Sequence, residues 1–149
     1  MTRCSLGTTT PLPRVACQTN GIRLRVIGCG AMGLAVASEM MRRGCMVRLF
    51  DIAPCVRDRA WERIYADMIK HVAAGLLLEE DLLLLSHRHE TAATLNEAVH
   101  GAHIIIEATS DDENAKRFFH TRLASSVNVP FHHVIVCSTS AKKPCLCFR

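Results

Sequence analysis

The strongest constraint on the fold of this chain is a G-x-G-x-x-G motif at residues 28–33. The segment 23–27 before it, RLRVI, predicts a short strand, and small and apolar residues recurring at helical spacing predict a helix over 31–43. The segment 46–52 then predicts a second strand. A strand, a glycine turn, a helix and a strand within about thirty residues are typical of a βαβ unit that binds a dinucleotide.

Each residue of the motif has a physical task. Gly28 permits the tight turn out of the strand, Gly30 lets the backbone approach a pyrophosphate, and Gly33 lets the helix pack closely on the sheet. Ala31 and Met32 begin the helix, whose free N–H groups and positive dipole end favour phosphate. These five residues are therefore predicted to bind the cofactor.

Asp51 stands at the end of the second predicted strand, where such motifs carry an acidic residue. Its carboxylate is predicted to accept hydrogen bonds from the ribose hydroxyls, and its charge would repel a 2′-phosphate. NAD is therefore the predicted cofactor. Arg48 and Arg57 stand nearby in the sequence, so NADP is disfavoured rather than excluded.

Strands and helices continue to alternate along the chain, and the last predicted strand covers residues 132–138. This order predicts an α/β fold with a Rossmann-type, doubly wound, mainly parallel sheet that is incomplete at its C-terminal side. The predicted division is a disordered leader at 1–20, an NAD-binding domain at 21–140 and a tail at 141–149. The apolar edge strand at the end of the sheet makes self-association a further expectation.

Composition restricts the function classes. The net charge is +4, but Lys and Arg are scattered, which argues against nucleic-acid binding. No apolar run is long enough to cross a bilayer. The eight cysteines form no C-x-x-C pair, so reduced thiols in the cytoplasm are expected and no metal site is predicted. Because the first twenty residues contain arginines and no acid, a mitochondrial matrix location is the alternative.

Four segments resemble one enzyme family. They are VIGCGAMG at 26–33, LFDI at 49–52, LNEAVHGAHIIIEATSDD at 95–112 and VIVCSTS at 134–140. Together they resemble the NAD-binding domain of the 3-hydroxyacyl-CoA dehydrogenase family. Ser138 stands where acyl-CoA dehydrogenases usually have Asn, which is more similar to the λ-crystallin branch, the L-gulonate 3-dehydrogenases.

The resemblance assigns three more residues. Asp111 and Lys116 match the acid and the lysine that help to bind the nicotinamide half of NAD, although Asp111 is shorter than the family's usual Glu. An equal alternative for Asp111 is an ordinary acid in a first helical turn. Ser140 matches the serine that contacts the substrate oxygen.

The catalytic His and its supporting Glu, which the family carries after this serine, find no match in the final segment AKKPCLCFR. Oxidation of a secondary alcohol needs such a base to take the hydroxyl proton. The chain is therefore expected to be a C-terminally truncated NAD-binding form that is inactive alone. The alternatives are a chain that is active only with a partner, such as a full-length relative, that supplies the missing half, and a non-enzymatic interaction module or unstable isoform.

Replacing Asp51 with Ala is predicted to weaken NADH binding by about 1–3 kcal/mol, because a charged hydrogen-bond acceptor is lost. Titration of the wild-type and variant chains with NADH, followed by calorimetry, measures this difference. An unchanged affinity would show that the ribose lies elsewhere.

Overall fold

A computed structural model of the chain describes residues 21–110, 112–126 and 135–138. The strands are β1 (Arg23–Ile27), β2 (Met46–Phe50), β3 (His89–Thr91), β4 (Ile104–Glu107) and β5 (Ile135–Ser138). They form a five-stranded sheet in the order β3-β2-β1-β4-β5. Every pair of neighbouring strands is parallel, so the carboxyl ends of all five strands lie at the same edge.

Six helices connect the strands. They are α1 (Ala31–Arg42), α2 (Pro54–Asp58), α3 (Ala60–Ala73), α4 (Glu79–Ser86), α5 (Leu95–Val99) and α6 (Glu113–Ser126). Local sequence signals explain several of their ends. Pro54 opens α2 at its first turn, where its missing N–H costs nothing. Thr94 caps α5, because its hydroxyl oxygen accepts the N–H of Glu97 at 3.2 Å.

The helices cover both faces of the sheet. On one face, Leu24 and Val26 of β1 pack with apolar residues of α1, α3 and α4. On the other face, Ile27 of β1 and Ile105 of β4 pack with apolar residues of α5 and α6. The run of three isoleucines in β4 is typical of a strand that is covered on both faces. The predicted doubly wound α/β fold is confirmed.

The observed elements differ from the predicted ones mainly at their ends. The second strand ends at Phe50 rather than at residue 52. The apolar spacing of α3 predicts that Ile69 shares a buried stripe with Ile64 and Met68, but Ile69 is 44 % exposed. Residues 1–20, the tail 141–149, and Asp111 and Ser140 lie outside the described residues. Within the described part, no helix combines the length and apolarity that crossing a membrane requires.

The strand order reverses at the centre of the sheet. From β1, the chain first adds β2 and β3 on one side, and then crosses over to add β4 and β5 on the other. The connections that leave β1 and β4 therefore run to opposite faces and open a crevice between them. Ligands of such sheets bind at this crevice, beyond the carboxyl ends of the strands. Gly28 follows β1 and Ala108 follows β4, so both lie there.

Candidate functional site

The glycine turn packs directly against the end of β4. Gly28 has a φ of 104°, which other residues rarely adopt, and a Cβ at this position would overlap the carbonyl oxygen of Ala108. A Cβ on Gly33 would overlap the carbonyl oxygen of Gly28 itself. The N–H of Ala108 donates to the carbonyl of Ile27 at 2.8 Å, which fixes the two connections together. Gly28 and Gly33 are therefore needed for packing of backbone against backbone.

Gly30 is a glycine for a different reason. Its φ of −69° is open to any residue. A Cβ built on it meets no protein atom within 4 Å. Its carbonyl accepts the N–H of Leu34 at 3.0 Å, as the start of α1 requires. Since neither packing nor backbone conformation demands glycine here, the space beside it fits a ligand that approaches the backbone closely.

The N-terminus of α1 is open in the way that anion binding needs. Its first turn has no side-chain cap and no acidic residue. Ala31 and Met32 are exposed there, and Met32 keeps 59 % of its surface accessible. The N–H groups of this turn and the positive end of the helix dipole favour a phosphate. Gly28, Gly30, Ala31, Met32 and Gly33 thus form the turn and the open N-terminus of α1, and their binding of the cofactor stays a prediction.

Asp51 lies beside the glycine turn, at the carboxyl end of β2. Its Oδ2 accepts the backbone N–H of Cys29 at 2.8 Å, and its Oδ1 accepts the N–H of Ala53 at 2.9 Å. A carboxylate has about four acceptor sites, so the two oxygens can also accept ribose hydroxyls. Asp51 therefore orders the turn and stands next to it as an acceptor.

Cys29 is an inert part of this turn. Its side chain is fully buried. Burial raises the pKa of the Cys29 thiol to about 11, with a further rise from the carboxylate of Asp51 and opposing effects of Arg63 and Arg57. The thiol is therefore protonated at neutral pH and does not act as a nucleophile.

A buried ion pair lies at the end of β4. Glu107 is completely buried, and the Nζ of Lys116 on α6 lies 3.2 Å from its Oε1 and 3.1 Å from its Oε2. The backbone N–H and the hydroxyl of Thr109 also donate to Oε1. Lys116 was assigned to the nicotinamide half of NAD, and the structure places its ammonium on Glu107. A role in nicotinamide binding stays a prediction, and Asp111, its predicted companion, is not described.

The described histidines lie on α3, on α6 and at the amino edge of the sheet. His120 follows Lys116 by one helical turn and is buried, which lowers its pKa, with a smaller lowering by Lys116 and an opposing effect of Glu107. The others are at the end of α3 and at the amino ends of β3 and β4: His71, His87, His89, His100 and His103. Within residues 21–110, 112–126 and 135–138, no histidine follows the carboxyl end of a strand.

Two residues of the site were not predicted. Glu107 carried a signal, because a charged residue inside an apolar strand needs a partner when it is buried. Nothing in the sequence indicated that Arg63 on α3 belongs to the site. Its Nη1 donates to the carbonyl oxygen of Cys29 at 2.9 Å, a contact between residues 34 positions apart.

Comparison with protein families agrees with this geometry. Residues 23–145 match the model of the 3-hydroxyacyl-CoA dehydrogenase NAD binding domain. The chain belongs to this family. Its cofactor is accordingly NAD. A comparison with curated protein sequences gives no significant match.

Solved structures of 3-hydroxyacyl-CoA dehydrogenase relatives are similar over most of this chain. FadB2 from M. tuberculosis is 25 % identical, with a TM-score of 0.74 over 80 % of this chain and 41 % of its own. The 3-hydroxybutyryl-CoA dehydrogenase from Escherichia coli K12 is also 25 % identical, with a TM-score of 0.70 over 80 % and 24 %. PaaH1 from Ralstonia eutropha, at 19 % identity and a TM-score of 0.70 over 78 % and 40 %, shares the fold. This chain thus spans less than half of their length.

Replacing Gly30 with Ala is expected to leave the free energy of unfolding within about 0.5 kcal/mol of wild type and to weaken NADH binding at least about tenfold. The added Cβ meets no protein atom but would occupy the space where the pyrophosphate is expected to approach. Urea unfolding and calorimetric titration measure the two effects separately.

Gly33→Ala is the matched control. Its Cβ overlaps the Gly28 carbonyl, so the expected loss is in stability, by about 3 kcal/mol. If Gly30→Ala lost stability instead of affinity, the space beside Gly30 would not be a ligand site.

Replacing Lys116 with Met is expected to lower the free energy of unfolding by about 3–5 kcal/mol, because the Glu107 carboxylate loses its countercharge inside the protein. The double variant Glu107→Gln/Lys116→Met should recover most of this loss, since no buried charge remains. Urea denaturation of the three chains checks the coupling. Equal stability of wild type and the single variant would rule out a structural role for the pair.

Proposed function

We propose that this chain supplies the cofactor-binding half of an NAD-dependent dehydrogenase that oxidises the hydroxyl group of a 3-hydroxy substrate. The observation that carries the proposal is the open backbone at Gly30, at the start of an uncapped helix, beside the acceptor Asp51. One of the 25 % identical relatives is a 3-hydroxybutyryl-CoA dehydrogenase, which supports a substrate of this class.

Different residues of the described part would bind different parts of the cofactor. The N–H groups from Gly30 to Met32 would hold the pyrophosphate, and Asp51 would hold the adenosine ribose and select against a 2′-phosphate. NAD, when bound, supplies the acceptor for a hydride. The end of β4, fixed by Glu107 and Lys116, would form the wall beside the nicotinamide.

A base for the substrate hydroxyl would have to come from outside the described residues. The described histidines lie at the amino edge of the sheet or inside the protein. Glu107 is buried and already holds Lys116 and Thr109. Loss of a hydroxyl proton during hydride transfer requires a positioned acceptor. We therefore propose that this chain binds NAD and does not turn over unless a further segment or a partner chain supplies that base.

Within the family, we propose the λ-crystallin branch, whose substrate is L-gulonate. The support is the sequence Ser138-Thr139-Ser140. Ser138 is the last residue of β5 and pairs in register with Glu107 at the end of β4. Ser140 is the proposed contact to the substrate oxygen.

The purified chain is expected to bind NADH saturably, with an affinity at least about tenfold higher than for NADPH, because Asp51 repels the 2′-phosphate. Energy transfer from Trp61, the one tryptophan in the sequence, to the reduced nicotinamide reports binding, and calorimetry confirms it. In the same preparation, oxidation of L-gulonate and of 3-hydroxybutyryl-CoA should stay at background. Preference for NADPH would contradict the assignment of Asp51, and a robust rate would contradict the missing base.

Mixing the chain with the separately produced C-terminal half of a dehydrogenase from each branch tests the substrate class. Formation of NADH with L-gulonate and the λ-crystallin-type half supports the proposal. Activity with only the acyl-CoA half and 3-hydroxybutyryl-CoA would place the chain in the other branch.

A further inference from the structure

Cys29, between the first two glycines of the motif, is held by two opposite charges. The carboxylate of Asp51 accepts its N–H at 2.8 Å, and the guanidinium of Arg63 donates to its carbonyl oxygen at 2.9 Å. Each bond fixes one of the two peptide groups that flank Cys29. Asp51 belongs to the sequence motif. Arg63 comes from α3, a helix that the motif does not include.

We propose that Arg63 is a positioning residue of the cofactor site, which turns the Cys29–Gly30 peptide so that the Gly30 N–H faces the pyrophosphate. The inference rests on the proposed binding of NAD at this turn. It adds a residue that lies on α3, outside the glycine motif, and that acts through the backbone.

The geometry of the peptide group carries the argument. The described peptide bonds include no cis bond, so the C=O and N–H of each peptide point in opposite directions. Because Arg63 holds the Cys29 carbonyl on the side of α3, the N–H of Gly30 points to the other side. The carbonyl of Gly30 is meanwhile committed to the N–H of Leu34 in α1. The Gly30 N–H thus enters the binding space with a fixed direction before any ligand arrives.

Preorganisation of this kind raises affinity, because the loop does not have to be ordered when the ligand binds. The positive charge of Arg63 also favours binding of the cofactor. Arg63 and Ala31 line one groove between α1 and α3, which places the guanidinium beside the first residue of the anion-binding turn. A positive charge there adds to the field of the helix N-terminus at a diphosphate.

Lys70 offers a matched control. It lines the same groove two helical turns after Arg63 and carries the same charge. Its side chain is 76 % exposed and its ion pair, at 3.7 Å, is with Asp67. Removing Lys70 changes the charge of α3 by the same amount as removing Arg63, without touching Cys29.

The experiment compares Arg63→Met, which keeps the apolar stem of the side chain, with Lys70→Met. Arg63→Met should weaken NADH binding about tenfold by calorimetry, and Lys70→Met less than about twofold. Adenosine has the base and ribose but no phosphate, so its affinity, measured by amide chemical shifts, should be the same in both variants. In the free proteins, the Gly30 amide resonance should shift in Arg63→Met only.

Several outcomes would overturn the proposal. NADH affinity of Arg63→Met within about twofold of wild type, or an equal loss for adenosine and NADH, would show that Arg63 does not orient the phosphate site. If wild type bound no NADH, the proposed function would fail, whereas the Gly30 amide shift would still report whether Arg63 orients the peptide. Arg63→Gln, whose amide stops short of the turn, replaces Arg63→Met if the latter does not fold.

Discussion

The structure depends on one contact of backbone against backbone, where the turn after β1 meets the end of β4. The neighbouring backbone leaves no room for a side chain at Gly28 or Gly33. Because both residues are glycines, α1 can start close to the sheet. The close packing of α1 on the sheet sets where the first N–H groups of α1 point and how near they come to the crevice. The proposed nucleotide site is thus a consequence of packing that stabilises the domain even without a ligand.

Charged side chains then hold the peptide groups of the turn and the position of α6 relative to β4. Asp51 and Arg63 hold the two peptide groups around Cys29 from opposite directions. On the other side of the crevice, Glu107 and Lys116 bind β4 to α6 inside the protein, where an unpaired charge would be strongly destabilising. The two walls of the crevice are therefore each held by oppositely charged groups.

Prediction from the sequence succeeded where one residue type has one physical reason. The glycine motif predicted the turn, the alternation of apolar segments predicted the doubly wound sheet, and Asp51 was predicted at the edge where it is found. Prediction from the sequence was less complete for charged residues, because a charged side chain can bind either a ligand or another charged side chain. Lys116 was assigned from family resemblance to the cofactor, and only the fold shows that its ammonium reaches both oxygens of Glu107.

The sequence by itself determined the order of the elements, the position of the glycine turn and the acidic residue that accompanies it. These are local or periodic properties, and glycine geometry, helix spacing and strand length express them without distant contacts. Only the tertiary structure decided that Arg63 reaches Cys29, that Gly30 faces open space, and that Glu107 has a partner. Such contacts join residues far apart in the chain, and their distances follow from how the helices pack on the sheet.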